Sequence, residues 1–462
     1  MENQKQLPSV TRIEALLVIL VILSLIGTAL IVFEAPPHVP IFTAFVFLVV
    51  YAFIKKAPWK RVEEGIVEGV SSGIIPMLIF MFIGVLISIW MSSGTIPTLI
   101  HYSFQVVSVS YFLPSVFIVT AIVGACVGSS FTTASTIGVS FMALGSLLGF
   151  DLAMVAGAVV SGALVGDKMS PLSDTTNLAA SVTRVDLFEH IRHMIWTAVP
   201  AFGVSLLLFI LIGRTEAEVE TAGVNELMAE LTEVSLISPI ALLPAVVIIL
   251  LAIKRTPALP TMLAGIAAAF LIALIMQPQY TIENYISFIQ DGYTAESGNE
   301  QIDALLTRGG IQDMMWPLSL LVLTLSMGGL LNKLGIIEKL LETIRALVAS
   351  TGRLVLSTVV TGMGINITLG EQYMSVILTG KAYEKQYEEL GLKRKNLSRA
   401  LENGGTVINA LIPYGVSGVF MASVLEVDVL SYLPYAFFCL LCPIIAVIYG
   451  FTGLTMEKTE EK

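Results

Sequence analysis

The string GDKMSPLSDTTNLAA, Gly166 to Ala180, places two carboxylates, Asp167 and Asp174, among Ser170, Ser173, Thr175, Thr176 and Asn177, around Pro171. Carboxylate, hydroxyl and amide oxygens are the ligands that small hard cations take. Proline removes a helical hydrogen bond and frees a carbonyl that can join such a set. Apolar stretches flank the string, and an aspartate at membrane depth costs at least about 3 kcal/mol on insertion scales, so each needs pairing, hydration or a bound ion. A carboxylate that binds Na⁺ or H⁺, but not both, couples two opposed fluxes by competition. Asp174, amid the hydroxyl and amide residues, is favoured over Asp167 as the carrier, with Na⁺ expected at Asp174, Ser173, Thr175 and Asn177. In the plainer alternative, Lys168 neutralises one acid and the loop only caps a helix.

Other polar strings in apolar surroundings add candidates. GSSFTTAST supplies Ser129, Ser130, Thr132 and Thr133, which either line the same midplane site or satisfy helix backbones, as membrane hydroxyls commonly do. INITLGEQY supplies Asn366, Thr368 and Glu371, the last expected deep in a hairpin as a second titratable or cation-binding group. Asn409, Pro413, Tyr414, Gly415 and Ser417 repeat the breaker without either acid. Glu402 and Asn403 are expected near Arg399 at the cytoplasmic surface. GVSG at Gly415–Gly418 matches a short serine-nucleophile pattern, but a nucleophile needs a base, and His38, His101, His190 and His193 all fall at loops or membrane edges. Cys439 and Cys442 form a CxxC without partners for a metal site and are read as packing residues, so no cofactor is expected beyond transported Na⁺ and H⁺.

The elements that position these residues must be membrane helices. Of 462 residues, 55% are hydrophobic and 13% charged, and the mean hydropathy is +0.85. A span needs about 20 apolar residues, and such stretches lie near 13–33, 39–54, 71–91, 194–213, 236–253, 258–277, 313–332 and 431–451. The first is read as a retained helix rather than a cleaved signal. Lys and Arg mark the cytoplasmic side, and they cluster at Lys55–Lys60 and at Lys254–Arg255. The segments 214–235 and 278–310 hold eleven acids and two arginines and should be external. Both termini then fall in the cytoplasm.

The chain also repeats itself. PLSDTTNLAASVTRVDLF from Pro171 aligns with PYGVSGVFMASVLEVDVL from Pro413 at an offset of 242, and GACVGSSFTTAST with GMGINITLGEQYM at one nearer 238. Basic residues of one copy face neutral or acidic ones of the other (Arg184 and Arg192 against Glu426 and Asp428), as expected of repeats that enter the membrane from opposite sides. The segments 114–140 and 354–380 are too short for two crossings and are expected as re-entrant hairpins. The fold class is therefore an all-α polytopic membrane protein with two inverted-topology repeats, each with a re-entrant hairpin and a broken transmembrane helix. Ten crossings are divided into a two-helix extension (1–61), repeat 1 (62–213), acidic loops with two linking helices (214–307), repeat 2 (308–453) and a tail (454–462).

The string GDKMSPLSDTTNLA, preceded by VVSGALV, together with GMGINITLGEQYMSVILTG and ALENGGTVINALIPYG, resembles the signature of the NhaC family of bacterial sodium/proton antiporters. The resemblance spans nearly the whole chain. It implies a bacterial plasma-membrane antiporter, often a homodimer, exchanging cytoplasmic Na⁺ (and possible Li⁺) for external H⁺, with no nucleic-acid partner. It assigns Asp167, Ser173, Asp174, Thr175 and Asn177 to the transport site. The same family includes exchangers of malate against lactate and Na⁺. An organic anion needs a cationic or helix-N-terminal anchor, and the only charged candidate is Lys168, with two acids nearby, which favours inorganic cations. A channel suits a broken-helix inverted repeat less well than alternating access does.

Overall fold

The structure is a computed structural model that describes residues 10–106, 111–213, 221–254, 256–345 and 350–459. Seven helices in these segments are long and apolar enough to cross a bilayer, or ten if each of three bent pairs is one span. Large apolar side chains stand outward along them: Leu20 is 58% exposed, Val199 59%, Leu271 58% and Ile448 50%. Apolar surface on that scale needs a cover. Helices satisfy their own backbones, so lipid can supply it, and the chain is a multi-pass membrane protein.

The chain opens with α1 (Arg12–Ile31) and α2 (His38–Ile54), tied at one end by Lys55 and Glu14 at 2.6 Å. Next come α3 (Trp59–Ser72), α4 (Ile74–Ser92), α5 (Thr95–Val106), α6 (Phe112–Val127), α7 (Ser130–Thr133), α8 (Val139–Leu147), α9 (Leu152–Met169), α10 (Asp174–Thr183) and α11 (Leu187–Gly213). Connecting helices follow: α12 (Thr221–Val234), α13 (Leu243–Ile253), α14 (Ala258–Met276), α15 (Ile282–Gln290) and α16 (Glu300–Leu306). The second half holds α17 (Met315–Lys333), α18 (Ile336–Arg345), α19 (Thr351–Leu369), α20 (Gln372–Glu389), α21 (Arg394–Leu401), α22 (Val416–Leu425), α23 (Val429–Tyr432) and α24 (Phe437–Thr452). Of the acidic segments expected outside, 214–220 lies beyond the described residues.

Backbone conformation recurs between the halves. Left-handed residues fall at Gly94 and Gly335, Gly128 and Gly370, Gly149 and Gly391, and Arg184 and Glu426, each pair 241 or 242 positions apart. The spacing corrects the offset of 238 expected for the hairpins: Gly128 N–H bonds Gly124 O and Gly370 N–H bonds Asn366 O, both at 2.7 Å, so the turning glycines are the equivalent positions. A one-residue left-handed turn suits glycine, which lacks the Cβ that makes the region costly.

Both segments turn back on themselves as helical hairpins, longer than 114–140 and 354–380, and among their arms α19 alone is long and apolar enough to cross a bilayer. In the second, α20 folds back along α19, with Ser375 Oγ donating to Gly362 O at 2.7 Å, the Thr361 and Tyr383 hydroxyls 2.8 Å apart, and Tyr387 O–H donating to Thr358 Oγ1 at 3.3 Å. Buried Tyr383 and Tyr387 hold the charged end of α20 helical past the last apolar residue, which sequence polarity hid. In the first, α7 and α8 are joined by a π turn, Ala134–Gly138, and return beside α6 with Phe141 against Phe112. The mouth of the first hairpin lies by the end of α11, with Leu113 beneath Gly213. That of the second lies by the end of α24, with Phe451 beneath Gly352. Since α11 and α24 meet head to tail through Phe209 and Phe437, the hairpins open at opposite ends of the bundle.

Candidate cation-binding site

The first broken helix is built by its own side chains. α9 stops at Met169, Pro171 cannot continue it, and Ser173 restarts the chain as the N-cap of α10, its Oγ accepting from Thr176 N–H at 3.3 Å. Asn177 Nδ2 donates to Pro171 O at 3.0 Å and Ser173 O at 2.6 Å, and Thr176 Oγ1 donates to Lys168 O at 3.3 Å. Much of the polarity read as ligands therefore also closes the backbone left open by the break. The broken helix is held against α6 by small residues. A Cβ at Gly166 would stand 2.4 Å from the backbone of Gly124 and Ala125, the close approach that small-xxx-small pairs permit.

The two carboxylates differ. Asp167 is 5% exposed; Oδ2 accepts from Ser130 Oγ at 2.8 Å, while Oδ1 is buried without a partner among the described residues. Asp174 is open to a cavity, with Oδ1 accepting from Thr175 N–H at 2.8 Å and Oδ2 from the Tyr373 hydroxyl. Their charges interact, and the Ser173 hydroxyl also bears on Asp167. The cavity holds 860 Å³ and is lined by Ser129, Ser130, Thr132, Asp167, Pro171, Asp174, Asn177 and Tyr373. Its rim includes Ser72 and residues 256–261, beside Lys254. Of the four expected Na⁺ ligands, Asp174 and Asn177 face this space, whereas Ser173 and Thr175 are buried, their hydroxyls 3.0 Å apart.

Other expected site residues are committed elsewhere. Lys168 is buried and donates to Asn403 Oδ1 at 2.9 Å, so its hydrogen bond goes to the second half of the chain rather than to a neighbouring aspartate. Glu371 caps α20, its two oxygens accepting from Tyr373 N–H at 3.0 Å and Met374 N–H at 2.6 Å; it stands where Ser129 stands in the first hairpin. Asn366 and Asn409 bond each other at 3.0 Å and tie the second hairpin to the second break, through Gly405 O and Ser417 N–H. Thr368, Thr132 and Thr133 bond within their own hairpins. Glu402 and Asn403, expected at the surface, are 0% exposed. The π turn Glu402–Thr406 carries them under α19, where Gly362 and Gly404 let the backbones close.

Comparison with known proteins decides the family. The model of the Na⁺/H⁺ antiporter family matches residues 7–176 and 162–454. The chain belongs to the Na⁺/H⁺ antiporter family. It is 40% identical to the Na⁺/H⁺ antiporter NhaC of Alkalihalophilus pseudofirmus over 96% of both chains. It is 39% identical to NhaC of Bacillus subtilis, covering 93% of this chain and 95% of that one. It is 33% identical to the malate-2H⁺/Na⁺-lactate antiporter of Bacillus subtilis, covering 96% and 95%.

Within this antiporter fold the serine of GVSG is not set up as a nucleophile. Ser417 Oγ donates to Gln372 Oε1 at 3.1 Å. His190 and His193 sit at the start of α11, as expected of an edge, but are buried against Ser398 and Asn396; His38 meets Ser319 and His101 meets Gln105. Tyr373 was not singled out by sequence reasoning, although it lies two residues beyond Glu371. The available signal was a phenol at membrane depth, which needs a hydrogen-bond partner.

Proposed function

We propose that this protein is a secondary antiporter that exchanges cytoplasmic Na⁺ for external H⁺ by alternating access. The observation that carries the reading is Asp167: a carboxylate buried beside the 860 Å³ cavity, near a second carboxylate, with one oxygen left for a proton or a cation. We favour Asp167 over Asp174 as the carrier, because both Asp174 oxygens already accept hydrogen bonds. Na⁺ entering the cavity takes oxygens of Asp167 and Asp174 with the hydroxyl of Ser130, and displaces the shared proton. The cavity rim at Ser72 and 256–261 belongs to segments whose Lys and Arg mark the cytoplasm, so this conformation is read as inward-open. Supporting it, the hairpins open at opposite ends, as two inverted repeats with re-entrant hairpins require. Residence in a bacterial plasma membrane with both termini inside, acceptance of Li⁺, homodimerisation and the division into repeats at 62–213 and 308–453 complete the proposal.

A carboxylate exchange like that named for the 33% identical relative is the second reading. Against it, Lys168 is held by Asn403 and does not line the cavity, which leaves an organic anion without a cationic anchor. Proton movement in proteoliposomes, with Na⁺, Li⁺, K⁺, malate and lactate added singly and in pairs, separates the two. Na⁺ alone should drive proton flux; flux that waits for an organic acid would overturn the proposal.

A further inference from the structure

The tip of the second hairpin brings to the aspartates' cavity a residue that the exchange leaves without a task. Gln372 lines that cavity beside Tyr373 and is 7% exposed. The Tyr373 hydroxyl bonds Asp174, so this tip stands against the carboxylates. Gly128 and Gly370 are equivalent turning positions, and the residue two beyond each is Ser130 in the first hairpin and Gln372 in the second. Ser130 donates to Asp167 at 2.8 Å, so one tip already serves the site with a neutral polar side chain. Gln372 Oε1 accepts from Ser417 Oγ of α22 at 3.1 Å. Its Nε2 has no hydrogen-bond partner among the described residues and is not sealed from solvent. A hydroxyl can donate or accept. A half-turn of the carboxamide therefore keeps the tie to α22, with Nε2 now donating to Ser417, and brings the carbonyl oxygen round to the open side.

We propose that Gln372 is a ligand of the transported cation, and that its neutral oxygen sets the balance between Na⁺ and H⁺. The inference rests on the exchange reading above. Amide carbonyl oxygens are ordinary ligands of hard cations. Unlike a carboxylate, a carboxamide is not among the side chains that take up a proton in the physiological range. Asp167 serves either ion, whereas Gln372 adds an oxygen that only Na⁺ can use, and so tilts the competition towards Na⁺ at any given pH. Turning the amide moves no proton and no net charge, so the exchange ratio is untouched. When the ion leaves, the carboxamide turns back on Ser417 and the hairpin tip carries no charge that would hold the site in one conformation.

The test measures Na⁺-driven proton flux in proteoliposomes over a range of pH, with the half-saturating Na⁺ concentration as the readout. Where two ions compete for one site, that concentration carries the Na⁺ affinity and the proton affinity as separate factors. Gln372→Met keeps the length of the side chain but loses the oxygen. It should raise the half-saturating Na⁺ about tenfold, the scale of one contact to a charged group, and by the same factor at every pH. Gln372→Glu supplies an oxygen that also takes a proton, so it should serve Na⁺ at least as well as the wild type in alkali and need disproportionately more as pH falls. An unchanged requirement in Gln372→Met overturns the inference and leaves exchange standing. So does a factor that varies with pH, as it would if Gln372 only tuned the proton on Asp167. If neither variant folds, infrared difference spectra of the wild type with isotope-labelled glutamine, taken with and without Na⁺, decide the point. The side-chain carbonyl stretch should shift on adding Na⁺, and a glutamine band that stays in place overturns the inference. A wild type that moves no protons on adding Na⁺ ends the exchange reading, and this inference with it.

Discussion

At the residue scale the proposed exchange is a contest for one carboxylate, and in that proposal the two aspartates are not interchangeable. Asp167→Asn keeps the size and the Ser130 contact but cannot ionise, so Na⁺-driven proton flux should fall to the level of empty liposomes while the protein still elutes as a folded species. Measurable exchange by that variant would return the carrier role to Asp174. Tyr373→Phe removes a donor to Asp174, and a hydrogen bond to a charged acceptor is worth about 1.5–3 kcal/mol. The half-saturating Na⁺ concentration should rise about tenfold or more, the factor that 1.4 kcal/mol represents; an unchanged value would remove Tyr373 from the site. Both aspartates were legible in the sequence because an acid beside a proline in an apolar run is costly unless it binds a proton, a cation or a counter-charge. Tyr373, the partner of Lys168 and the burial of Glu402 were not, because each depends on a contact made across the two repeats: Tyr373 and Asp174 are 199 residues apart, and Lys168 and Asn403 are 235 apart.

At the scale of elements, the turning glycines fix where each hairpin ends. Gly370 has φ +70°, and an added Cβ would meet Thr324 Cγ2 at 2.3 Å, whereas Gly364 in the same hairpin has nothing within 4 Å. Gly370→Ala should therefore cost about 1–2 kcal/mol for the left-handed backbone alone, plus the clash, and lower the Tm. Gly364→Ala should be neutral or better, since alanine favours a helix by about 1 kcal/mol over glycine; equal Tm changes would show that the turn is not held at Gly370. A second element effect lies at the tail, which pairs with the start of α21 through Lys393 N–H to Glu457 O at 3.0 Å and Thr459 N–H to Gly391 O at 2.8 Å. The hydrogen bond from Lys395, at 2.6 Å, and that from Lys393, at 3.2 Å, hold the Glu457 carboxyl below the usual carboxylate range. A depressed acid stabilises the folded form above its unfolded pKa and loses that contribution as pH falls through the folded one. Protection of the Lys393 and Thr459 amides, taken relative to intrinsic exchange at each pH, should thus be retained at neutral pH and fall in acid, while Glu457→Gln should lower it modestly already at neutral pH. Helix existence and the glycine-proline punctuation were readable from sequence; the length of the hairpin arms was not, because Tyr383 and Tyr387 extend α20 by tertiary contacts.

At the scale of the whole molecule, two cavities lie against segments 242 positions apart in the chain. Pro171, Asp174 and Asn177 line the 860 Å³ cavity, and Pro413, Val419 and Ser423 line another of 910 Å³ with Glu34, Asp313, Glu426 and Asp428 around it. Between them Phe131 of the first hairpin stacks on Phe420 of α22, centroids 4.1 Å apart, and Phe80 meets Phe420 edge-on at 5.0 Å. Charge patterning indicated which loops share a side, and the acids around the second cavity belong to the side that it expects to be external. No pattern in the sequence shows which cavity is continuous with the aspartates, since that is a property of one conformation and a transporter must visit two. In a Cys126→Ser background, Asn177→Cys should react with a membrane-impermeant maleimide applied from the cytoplasmic side and Ser423→Cys from outside. An antiporter cannot let both cavities reach the aspartates at once without leaking its gradients, so the aromatic stack must act as a wall. Phe420→Ala should thin that wall, and the expected result is Na⁺ flux through proteoliposomes that no longer requires counter-moving protons, with the outside reagent now reaching Asn177→Cys. A variant that stays tightly coupled, with the Asn177→Cys thiol still closed to the outside, would place the barrier elsewhere and make the stack ordinary core packing.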